Sequence, residues 1–79
     1  MVLAYIMMKM QVGMDEQVIA EIRKLEQVQE ANATYGSFDL IIKVKFKTIE
    51  DLDRFIFEEI RRIKGVNETS SMIVAKQVI

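Results

Sequence analysis

Apolar residues change spacing repeatedly along this chain, and each change marks an element. Over residues 2–12 both parities begin apolar: Val2, Ala4, Ile6 and Met8 on one side, Leu3, Tyr5 and Met7 on the other, with alternation only near Lys9 and Gln11. A strand buried on one face alternates throughout, so this spacing predicts a strand covered on both faces. Gly13 breaks the run. From Met14 the apolar positions Met14, Val18, Ile19, Ile22 and Leu25 repeat as in an amphipathic helix, opposite Glu16, Glu21, Arg23, Lys24 and Glu26. Asp15 is the expected N-cap of that helix. A short linker around Val28 leads to a second strand, Gln29 to Tyr35.

The turn Gly36–Asp39 then feeds a third strand, Leu40 to Lys47, where Leu40, Ile42, Val44 and Phe46 alternate with Ile41, Lys43, Lys45 and Lys47. Thr48, with Asp51 three residues on, predicts the cap of a second helix. Its buried stripe is Leu52, Phe55, Ile56, Ile60 and Ile63, and Gly65 stands where the helix ends. Residues 66–79 read as the last strand, polar at its start and apolar at its end. The order β-α-β-β-α-β predicts one domain over 1–79, an α+β fold of the ferredoxin-like kind. Its four-stranded antiparallel sheet would carry both helices on one face. The other face, with Leu3, Tyr5, Met7 and Ile41, is expected to meet its counterpart on a second subunit. Hydrophobic residues make up 51% of a 79-residue chain, generous for a domain that buries only about 60% of its unfolded surface. That surplus also argues for oligomerisation.

Composition narrows the chemistry. A formal net charge of −1 leaves no electrostatic footprint for direct nucleic-acid binding. There is no leader pattern and no apolar run near 18 residues, so a cytoplasmic protein with no membrane partner is expected. With no Cys and no His, the commonest general base and the usual transition-metal ligands are missing. No enzyme and no cofactor are therefore expected. Met7, Met8, Met10 and Met14 read as packing rather than metal ligands. Lys43, Lys45 and Lys47 read as guards of a strand surface, and Glu58 and Glu59 as surface pairs of Arg61 and Arg62.

What remains is the turn. Gly36 permits positive φ, and Asp39 can accept from backbone amides or from a bound amine. A Gly-x-x-Asp hairpin in so short a chain points to a small-molecule binding module, although both residues also serve a plain hairpin closure. Tyr35 beside them suits a pocket wall or an interface anchor equally.

The segments Thr34-Tyr35-Gly36-Ser37-Phe38-Asp39-Leu40-Ile41 and Gly65-Val66-Asn67-Glu68-Thr69-Ser70-Ser71-Met72-Ile73-Val74 resemble the two signature stretches of the RAM domain. This is the ligand-binding and oligomerisation half of the Lrp/AsnC transcriptional regulators, and the resemblance covers essentially the whole chain. It implies a dimeric α/β barrel, with dimers assembling into rings of eight or ten subunits and a free amino acid bound between dimers. It further implies that Tyr35, Gly36 and Asp39, with Thr69 and Ser71, line that pocket. Asp39 would hold the α-ammonium, and backbone N–H groups and hydroxyls the α-carboxylate. Family regulators carry an N-terminal helix-turn-helix, whereas Met1 here already opens the first strand. The resemblance therefore implies a stand-alone module acting through full-length relatives. An alternative on the same topology is a small dimeric α/β-barrel enzyme, monooxygenase- or isomerase-like. Such enzymes commonly use His, Asn or Trp, and only Asn32 and Asn67 are present.

Overall fold

A computed structural model describes all 79 residues. Its elements are β1 (Val2–Met10), α1 (Asp15–Arg23), β2 (Val28–Ala33), β3 (Leu40–Phe46), α2 (Ile49–Phe55) continued by a π-helical turn (Ile56–Ile60), and β4 (Val66–Ile73). The strands form one antiparallel sheet in the order β2-β3-β1-β4. This is the expected ferredoxin-like β-α-β-β-α-β arrangement. No helix is long and apolar enough to cross a membrane.

Residues directly opposite on paired strands share a face. Ala4 pairs with Val44, Ile6 with Ile42 and Met8 with Leu40, and all six are buried. Val18 and Ile22 of α1, Leu52 and Phe55 of α2 and Ile60 complete this core, and no polar side chain is buried in it. Phe46 and Phe55 pack as a tilted pair at its edge, with ring centroids 5.1 Å apart. The other parity of β1 and β3 carries Leu3, Tyr5, Met7, Ile41 and Lys43, all only half-buried because no helix covers that face. Met72 of β4 lies opposite Tyr5 and is 53% exposed.

Several element ends differ from the sequence reading. β1 stops at Met10, although the Gln11 N–H still donates to the Gly65 carbonyl (2.7 Å) before the chain turns at Val12 and Gly13. β2 starts at Val28 and stops at Ala33, so Thr34 and Tyr35 belong to the turn. β4 ends at Ile73, and Val74 still donates to the Leu3 carbonyl (2.9 Å). The cap of α1 is Met14, without a side-chain hydrogen bond, and Asp15 is the first helical residue. Thr48 caps α2 as expected, its Oγ1 accepting from the Asp51 N–H at 3.1 Å. The second helix widens at its end, where the Arg61 N–H donates to the Ile56 carbonyl (2.9 Å), a π-type bond. No ion pair joins Glu58 or Glu59 to Arg61 or Arg62. The Arg61 guanidinium instead lies 4.9 Å from the Phe57 ring centroid.

Candidate functional site

The connection from β2 to β3 is tied at its neck and open at its tip. Thr34 N–H donates to the Asp39 carbonyl at 2.9 Å, and the Thr34 hydroxyl donates to the Phe38 carbonyl at 2.7 Å. Between those ties Gly36 adopts φ +128, a region side chains disfavour. Tyr35 next to it is fully exposed.

Asp39 is held twice by β1. Its N–H donates to the Met8 carbonyl at 2.9 Å, and its Oδ2 accepts from the Met10 N–H at 2.8 Å. The β3–β1 ladder thus continues one step past Leu40, with a side chain replacing a backbone carbonyl. The other carboxylate oxygen makes no hydrogen bond. On the neighbouring side of the turn, Lys9 Nζ lies 5.8 Å from the Phe38 ring centroid and 3.3 Å from Glu68 Oε2.

Beside Asp39 is a solvent-open cavity of about 600 Å³. The end of β1, the start of α1 and the turn enclose it, with Met10, Val12, Asp15, Ile19, Tyr35 and Asp39 in its lining. Of these, the sequence reading named only Tyr35 and Asp39 as site residues. The sequence pattern places Met10 and Val12 in the first strand, Asp15 at the helix cap and Ile19 on the helix face. Local spacing carries no signal that Gly13 folds the start of α1 against a turn far along the chain.

Tyr35, Gly36 and Asp39 are therefore brought together, whereas Thr69 and Ser71 are not brought to them within one chain. Thr69 pairs with Met8 and Ser71 with Ile6, which puts both on the helix side of the edge strand β4. Met8 thus stands between Thr69 and Asp39, a separation of two strand spacings, about 10 Å. Thr69 is half-buried and Ser71 exposed. Thr69 borders a separate notch with Arg61 and Asn67.

Comparison with known proteins agrees with this architecture. Residues 3–79 match the family model of the Lrp/AsnC ligand binding domain. The HTH-type transcriptional regulator FL11 of Pyrococcus abyssi is 35% identical over 74 residues, covering 94% of this chain and 48% of the regulator. The Leucine-responsive regulatory protein of Salmonella typhimurium is 32% identical over 63 residues, covering 80% of this chain and 38% of that protein. The chain thus spans about half the length, or less, of these curated relatives. Among solved structures, a hypothetical protein from Pyrococcus horikoshii is 39% identical with a TM-score of 0.87, over 98% of this chain and 93% of that one. Escherichia coli AsnC is 26% identical with a TM-score of 0.93, over 99% of this chain and 53% of that one.

Proposed function

The chain belongs to the Lrp/AsnC ligand-binding domain family, and from that premise we propose that it is an amino-acid-sensing and oligomerising module that modulates transcription through full-length relatives in the cytoplasm. The relatives named above are transcriptional regulators, which supports a regulatory rather than a catalytic role. The observation that carries the reading is Asp39: one oxygen is engaged by the Met10 N–H, and the other is unpartnered beside a cavity. Such an oxygen accepts an α-ammonium, and Tyr35 and the open backbone at Gly36 stand next to it.

Thr69 and Ser71 enter the site from another copy of the chain. Within one subunit β1 separates them from Asp39, so the α-carboxylate contacts they would supply require assembly. The uncovered sheet face with Leu3, Tyr5, Met7, Ile41 and Met72 is the proposed dimer face, and dimers would assemble further into an octamer or decamer.

The two duties of Asp39 can be separated. Asp39→Asn keeps an oxygen for the Met10 N–H but removes the charge, whereas Asp39→Ala removes both. Titration calorimetry with the twenty amino acids should find a cognate effector whose affinity falls tenfold or more in Asp39→Asn, since hydrogen bonds to charged groups contribute about 1.5–3 kcal/mol. Urea unfolding should find the Asn variant near wild type and the Ala variant weaker by about 1–2 kcal/mol. Unchanged affinity in Asp39→Asn removes the residue from the site.

A further inference from the structure

A groove of about 560 Å³ lies between α1 and the end of the second helix. It shares no residue with the cavity beside Asp39. Its apolar floor is Met14, Leu25 and Ile63, each packed against the core. Along the second helix and just past it, two acids, Glu58 and Glu59, come first and two bases, Arg62 and Lys64, follow. All four are exposed. The ion pairs of the chain join Lys9 to Glu68, Lys24 to Glu21 and Arg54 to Asp51, so none of the four is paired within the subunit.

This order of charges selects the partner. A partner of one sign, such as a polyphosphate, an acidic membrane or a basic tail, would press like charge on two of the four whatever its sign. The surface that fits carries both signs in reverse order beside an apolar strip. A two-fold related copy of the same groove has that order by construction, because an isologous contact sets each patch against itself. We propose that the groove is a second self-association surface, where two copies meet about a two-fold axis with Glu58 and Glu59 of each facing Arg62 and Lys64 of the other. Met14, Leu25 and Ile63 lose their remaining contact with water there. The contact leaves the sheet face free, so a chain using both surfaces links pairs of subunits into larger assemblies. Exposed ion pairs contribute little singly, and the Debye length falls from about 30 Å at 0.01 M salt to about 3 Å at 1 M. The association is therefore weak and salt-sensitive. It needs no ligand and stands apart from the sensing reading.

Met7→Lys blocks the sheet face and isolates this contact. Sedimentation equilibrium of the full Met7→Lys chain, from micromolar to millimolar concentration, should show reversible pairing at about 0.01 M salt that weakens at least tenfold at about 1 M. In that background Glu58→Lys with Glu59→Lys, or Arg62→Glu with Lys64→Glu, should abolish pairing. The fourfold exchange, which returns the chain to its starting net charge, should recover it to within threefold. Circular dichroism checks that each variant folds. In the otherwise wild-type chain the same reversals should remove the largest species at low salt and leave the sheet-paired one. A Met7→Lys chain that stays single up to millimolar concentration overturns the proposal. So does pairing indifferent to salt or to the reversals, or a folded fourfold exchange that does not pair.

Discussion

Gly65 and Gly36 both hold positive φ, at +101 and +128, yet their surroundings differ. A Cβ on Gly65 would lie 2.8 Å from Met14 Cβ and 2.9 Å from Val18 Cγ2, whereas one on Gly36 meets nothing within 4 Å. Val18 is fully buried and Met14 packs against the core, so neither retreats easily. Gly65→Ala should therefore cost about 2–4 kcal/mol, backbone strain plus overpacking, and Gly36→Ala about 1 kcal/mol from strain alone. Urea denaturation compares them, and equal losses would show that the crowding at Gly65 carries no penalty. The stripe of Ile60 and Ile63 predicts that the helix runs to Gly65, but the helix closes at Ile60 with Arg61 as its cap, and Gly65 lies in the turn that leads into β4; only its being a turn glycine was legible. That it must also leave room for α1 was not, because α1 approaches it only through the folded core. Asp39 divides in the same way: its turn propensity is a local property, but its bond to Met10 depends on which strand β3 chooses as neighbour.

Among the elements, α2 shows how far a local signal reaches. Thr48 has extended backbone, φ −134 and ψ 161, and its side chain accepts from Asp51, a bond between residues three apart and hence readable from sequence. Thr48→Ala should lower stability by about 1 kcal/mol while Thr48→Ser should nearly preserve it; a chemical denaturation midpoint unmoved by the Ala change would mean the cap contributes nothing. The same helix hides its π turn, because apolar residues at Ile56, Ile60 and Ile63 suit an α-helix as well. The extra residue rotates Arg61 over Phe57 and leaves the expected pairs with Glu58 and Glu59 unformed. At α1 the cap reading failed for a tertiary reason. Met14 occupies the cap position while its side chain packs against the core, and Asp15 falls one step inside.

For the whole molecule, the two faces of the sheet are the deciding feature. One is sealed by helices. The other leaves Leu3, Tyr5, Met7 and Ile41 half-covered, with Met7 opposite Ile41 on β3 and Ser70 on β4. A second copy laid on this face would bury that apolar layer. Met7→Lys, which puts an unpaired charge at its centre, should shift the sedimenting species at micromolar concentration from dimer or larger toward single chains. Val78→Lys, on a residue 87% exposed outside the sheet, should not. A wild-type chain that sediments only as single copies removes the dimer face and, with it, the composite site of Asp39 with Thr69 and Ser71.

Element type and order, the sealed face of the sheet and the Gly-x-x-Asp turn were all contained in the linear pattern, since each follows from residues a few positions apart. Strand ends, the wall built by Val12, Asp15 and Ile19, and the distance between Asp39 and Thr69 came only with the folded chain. Hydrogen-bond partners and cavity walls are supplied by segments remote in sequence, and the order β2-β3-β1-β4, which inserts β1 between Asp39 and Thr69, is a property of packing rather than of any local spacing.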